Sequence, residues 1–255
     1  MPTPSRATLT TTGIRAEARS YWLESRSHRY SLLFALPLLV LYELLEAMAP
    51  LRSGGGVIRN GADVMLTGAF TLLLGPRGPL VFMAVVIGIS LWLIYRDRTT
   101  GQFRLSMLGA MLGESVILAL LFGIIVGAAT MQLVGPLRAL SIGGGVGGTA
   151  LQRLSLSLGA GLYEELLFRV VLVALLASGL RLLRFRRVTA GIMAALLGAL
   201  LFSAFHYIGP LGEPLRLESF VFRALAGLAF SAMYLTRGFG ITAWTHALYD
   251  VAILV

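Results

Sequence analysis

The sequence predicts an all-α membrane protein, a polytopic helical bundle of seven to eight transmembrane helices. Three observations predict it. Apolar residues make up 57% of the chain and charged residues only 13%, which leaves too little polar surface to coat a water-soluble fold. Mean hydropathy is +0.83. The apolar residues gather in runs of about 20, the length that carries a helix through a hydrocarbon core.

Runs at 30–49, 79–95, 105–134, 155–180, 188–207, 218–236 and 239–255 meet that length. The stretch 62–76 is shorter and carries Asp63, which leaves three readings open: a tilted span, a re-entrant piece or an interfacial helix. Glycine and proline mark the joins at 53–56 (SGGG), 75–79 (GPRGP), 143–148 (GGGVGG) and 208–214 (IGPLGEP). Inside the long run, Gly109/Gly113 and Gly123/Gly127 have the small-xxx-small spacing that lets membrane helices approach closely. Residues 1–29 read as a polar, arginine-rich N-terminal tail, and 30–255 as one transmembrane domain.

All 21 basic residues are arginines, set against 12 acids for a formal charge of +9. Most flank apolar runs, where they meet anionic headgroups, and none alternate with aromatics as a stacking platform would require. The expected partner is the lipid bilayer, and no nucleic acid. With no cysteine, disulfides, thiolate metal ligation and cysteine nucleophiles are excluded.

A charge at the bilayer centre costs roughly 2.5–3.5 kcal/mol on insertion scales, so each one kept there needs a partner or a task. Those within the runs are Glu43, Glu46, Glu114, Glu164, Glu165, Arg169, His206, His246 and Asp250. In GLYEELLFRV, Glu165 and Arg169 are four apart and share a helix face, whereas Glu164 points about 100° away with no counter-ion on its own helix. Either Glu164 is an unpaired acid with a task, or both glutamates brace Arg169. Two later helices each offer an imidazole, His206 four residues after Phe202 and His246 four before Asp250. Because the chain alternates direction, Glu164, His206, His246 and Asp250 can meet at one depth. A carboxylate, two imidazoles and a second carboxylate suit water activation in a dry bundle, and the same donors could ligate zinc, although HExxH is missing.

These residues resemble a known family. EELLFR (164–169), FSAFH (202–206) and HALYD (246–250) are similar, in order and spacing, to the EExxxR, FxxxH and HxxxN/D motifs of the CPBP intramembrane proteases, which include CAAX prenyl endopeptidases and bacterial Abi proteins. The resemblance covers about 155–255. It implies an intramembrane endopeptidase in which Glu164 and His206 activate water and His246 with Asp250 stabilises the oxyanion, Glu165 and Arg169 supporting. Asp250 stands where many members have Asn, and an ionised carboxylate cannot donate to an oxyanion, so orienting His246 is its other reading. The resemblance further implies no cofactor, with zinc as the lesser alternative, a peptide or membrane-protein substrate, and a multi-pass protein of the bacterial inner membrane. It implies eight spans with an inward-opening site. Omitting 62–76 gives seven, with roughly twice as many arginines inside as outside and a site that opens outward. The rival functions are a proton-coupled transporter, with Glu43, Glu46, Glu114 and Glu164 as relay, and a catalytically inactive membrane scaffold.

Overall fold

The computed structural model describes residues 19–48, 59–97, 103–135, 149–209 and 212–255, which form helices with no strand among the described residues. A short helix α1 (19–25) leads into α2 (His28–Met48). There follow α3 (Gly61–Leu74), α4 (Gly78–Arg96) and α5 (Leu105–Val134). The long α6 joins Ala150–Gly159 to Val173–Leu182 through widened, π-helical turns at Ala160–Glu164 and Leu166–Leu172. Last come α7 (Arg187–Phe205), α8 (Leu217–Arg237) and α9 (Phe239–Leu254). The SGGG and GGGVGG joins lie outside the described residues.

Five stretches are long and apolar enough to cross a membrane: α2, the joined α3 and α4, α5, α7 and α8. The broken turns of α6 and the 16 residues of α9 keep those two helices outside that criterion, although both carry site residues. Large apolar side chains such as Leu72, Leu80 and Ile124 are exposed on the outside of the bundle, where acyl chains would cover them.

The short apolar stretch forms α3 and is joined to α4 by a tight turn. Gly75 turns the chain at φ 66°, and Gly78 lies so close to Thr71 that a Cβ there would sit 2.4 Å from the Thr71 Cα. α3 and α4 therefore form a hairpin, with Phe70 and Phe82 ring to ring at 5.4 Å. α4 packs along α2 and ends beside its start, where the His28 amide donates to Asp97 at 2.8 Å. α3 begins partway along α2, with the Asn60 amide donating to the Tyr42 hydroxyl at 3.2 Å. Its 14 residues reach ~21 Å, short of the ~30 Å hydrocarbon core. α3 by itself is therefore too short for an upright span.

α5 buries a stripe of Met107, Met111, Ser115, Ala119, Phe122, Val126 and Thr130, spaced three or four apart as a single helix face requires. Among the described residues, Gly109, Gly113 and Gly127 fall off that stripe and meet nothing within 4 Å, while Gly123 touches Tyr249. Among the described residues the small-xxx-small spacing thus brings no second helix backbone close. The N-terminal tail is likewise not all tail, because Ser25 is fully buried and accepts from Arg237 at 3.0 Å. Arg237 also binds Glu114 at 2.5 Å, and Tyr21 donates to Glu114 at 2.6 Å. This end of the bundle gathers Arg26, Arg29, Arg96, Arg104 and Arg237, and the turn between α6 and α7 adds Arg184 and Arg186.

Candidate active site

α6 starts on a capping box, with the Thr149 hydroxyl accepting from the Gln152 amide and the Gln152 side chain from the Thr149 amide. Its middle must let other helices come close. A Cβ on Gly161 would sit 2.4 Å from the Ala243 carbonyl oxygen, and one on Gly159 would sit 2.6 Å from the Tyr42 ring. α9 and α2 therefore rest directly on the α6 backbone. The widened turns begin here and carry Glu164, Glu165 and Arg169; such turns recur where a helix re-aims side chains at a functional site.

The adjacent glutamates have different surroundings. Glu165 is completely buried and pairs with Arg169 at 3.2 Å, as their spacing predicts. It also accepts from His246 Nδ1 at 2.7 Å, so its charge faces two donors. Arg169 lies over the Phe202 ring at 4.4 Å and donates to the Gly227 carbonyl at 3.4 Å. Glu164 has no such cation. Its Oε1 accepts from the Asn60 side chain at 3.0 Å, and its buried Oε2 has no hydrogen-bond partner in the protein. That oxygen faces His206 Nε2 at 3.9 Å.

Both imidazoles have fixed tautomers or orientations. His206 Nδ1 lies 2.9 Å from the Phe202 carbonyl, which can only accept, so Nδ1 carries the proton and Nε2 turns to Glu164 with its lone pair free. His206 caps the end of α7, and its ring meets Phe202 edge-on at 5.0 Å. His246 is held by Glu165 at Nδ1 and stacked on Phe230 at 4.2 Å, while its Nε2 lies 3.7 Å from Asp250. The structure thus brings together all four residues expected to meet, along with Glu165 and Arg169. Side-chain exposure grades outward, from none for Glu165 and 8% for Glu164 to 18% for Asp250 and 24% for His206.

Sequence reasoning missed three features. Glu165 serves His246 as well as Arg169. Phe202 is a hub, its ring against Arg169, His206 and Phe168. Asn60 reaches the site from 104 residues away, and its only local signal is the helix-starting Asn-Gly pair before Ala62. The other acids divide: Glu43 binds Arg59 at 2.9 Å and Tyr163 at 3.0 Å, Glu46 binds Ser155, and Glu114 belongs to the arginine-rich end. They do not line up with Glu164 as a relay. Outlying His28 is half exposed and pairs with Asp97 at 3.0 Å. Among the described residues no three His, Cys, Asp or Glu side chains are grouped to hold a metal ion.

Residues 146–252, the part that supplies α6 to α9, match the family model for the type II CAAX prenyl endopeptidases, Rce1-like. No curated protein and no solved structure gives a match. The EExxxR, FxxxH and HxxxD residues that converge in the site all lie in that matched segment, which is similar to the Rce1-like CAAX prenyl endopeptidases, a family of peptide hydrolases.

Proposed function

We propose that the protein hydrolyses peptide bonds within the bilayer by water that Glu164 activates. The observation that carries this reading is the facing pair Glu164 Oε2 and His206 Nε2, 3.9 Å apart, each the free end of a group anchored elsewhere. Two hydrogen bonds of about 2.8 Å that meet near a right angle at one water oxygen span about 4 Å. A water held there loses a proton to Glu164 as its oxygen attacks the scissile carbonyl, and His206 orients it. Glu164 then returns the proton to the leaving amine. His246, as an imidazolium held through Nδ1 by Glu165, presents Nε2–H to the oxyanion. Asp250 cannot donate when ionised, and its carboxylate stands beside that imidazolium as a counter-charge.

We take seven crossings, α2 and α4 to α9, because the 14 residues of α3 reach only ~21 Å of a ~30 Å hydrocarbon core. On that count the arginine-rich end is cytoplasmic by the positive-inside rule, and the site lies toward the opposite end of α2, facing outward from the inner membrane of a bacterium. Substrates are then peptides or membrane-protein segments reached from that side.

Hydrolysis by this route needs no metal. Purified protein is expected to carry less than a tenth of an equivalent of zinc and to keep its rate after exhaustive chelation, read by mass spectrometry of fragments released from inner-membrane vesicles. Stoichiometric zinc with activity lost on chelation and restored by zinc would overturn the proposal.

A further inference from the structure

We infer that Asn60, the N-cap of α3 and outside the family-matched segment, is a positioning residue that aims Glu164 for water activation. The inference rests on the glutamate reading above and extends it to a part of the chain no motif reaches. Asn60 is buried, and both ends of its carboxamide are committed. Its Oδ1 accepts from the Ala62 amide at 2.9 Å as the α3 N-cap. Because a backbone N–H must face the oxygen, the amide orientation is settled, and Nδ2 necessarily points at Glu164 Oε1, 3.0 Å away. Holding Oε1 fixes the carboxylate so that Oε2 is the oxygen turned to His206.

Asn60 is itself anchored. Its amide donates to the Tyr42 hydroxyl, which donates to Asp63 at 2.8 Å. Arg59 binds both Asp63 and Glu43, and Glu43 accepts from Tyr163, the residue before Glu164. The chain of bonds closes on α6, so α2, α3 and α6 hold the Asn60 carboxamide from three sides. A helix N-terminus needs only a cap, which Ser or Asp would supply equally. The carboxamide, with a donor as well as an acceptor, suits a residue that must also bind a carboxylate.

Two substitutions separate aiming from capping. Asn60→Ser keeps a capping oxygen and is too short to reach Glu164; Asn60→Asp keeps the shape and the cap but sets an acceptor against the carboxylate. Kinetics would use a quenched peptide spanning a site that membrane peptidomics shows the wild type to cut. We expect kcat to fall about 10- to 100-fold in Asn60→Ser, the range for losing a hydrogen bond to a charged group, with KM within about twofold and melting temperature within about 2 °C of wild type. Asn60→Asp should lose at least as much. Wild-type kcat in the folded Asn60→Ser protein would overturn the inference, as would a loss of rate accounted for by lost folded protein. The Glu164→Gln arm keeps the two readings apart: if it is inactive while Asn60→Ser is fully active, only the Asn60 inference fails, and if it is active the glutamate mechanism itself fails.

Discussion

Two buried charge clusters lie at different levels of the same bundle. At the arginine-rich end, Arg237 is gripped by Glu114 and Ser25 and lies over the Trp22 ring at 4.0 Å, and Tyr21 occupies the second Glu114 oxygen. Deeper, Glu164 and His206 face each other across 3.9 Å without bonding, and His246 and Asp250 stand 3.7 Å apart. Burying charge is costly in both places. The first cluster satisfies its groups and ties α1, α5 and α8 together. The second leaves Glu164 Oε2 unbonded and turned to a second titratable group, His206, an orphan that calls for an explanation. Glu165 and Arg169 lie between these extremes, paired at 3.2 Å while Glu165 Oε2 and Arg169 Nη1 lack hydrogen-bond partners.

The comparison breaks most visibly at Arg169, whose partner has no solvent to retreat to. Arg169→Gln should destabilise by about 3–5 kcal/mol, because it leaves Glu165 buried with only His246, and adding Glu165→Gln should restore part of that. Thermal unfolding of both proteins in detergent measures it. A double variant as unstable as the single would mean that the pair is not the source of the loss.

A smaller loss is expected at the other cluster. Glu114 retains 22% side-chain exposure, so water relieves it in part, and Arg237→Gln should cost about 2–3 kcal/mol. Turnover per folded molecule should not change. If catalysis falls while the fold survives, the two clusters are coupled and the contrast drawn between them is wrong.

These pairings show what the sequence could and could not disclose. The crossing helices were legible because bilayer thickness forces long apolar runs, and observed α4, α5, α8 and α9 lie within two residues of the expected limits. The Glu165 and Arg169 pair was legible because a four-residue spacing fixes a helix face. Asn60 was not, since its bond to Glu164 crosses 104 residues and leaves no periodic trace. Nor was the tight turn between α3 and α4, which shows in the close approach of Gly78 to Thr71. The α5 glycines misled because spacing alone does not say which face of a lipid-exposed helix is packed.

The smallest effect belongs to His28, the histidine outside both clusters. Its contact with Asp97 joins a side chain 55% exposed to one at 16%, so His28→Ala should cost under about 1 kcal/mol and leave turnover untouched. An activity loss comparable with that of His206→Ala would mean the site extends to the arginine-rich end.

The central claim is that the unsatisfied oxygen of Glu164 is the base. Its most direct test compares purified wild type and Glu164→Gln on the same cleaved peptide, with melting temperatures measured in parallel. Gln keeps the size and can still accept from Asn60, but it cannot take a proton from water. The account predicts an unchanged fold and a rate reduced at least about 100-fold, the lower range for removing a general base. A folded Glu164→Gln protein that cleaves at the wild-type rate would contradict it.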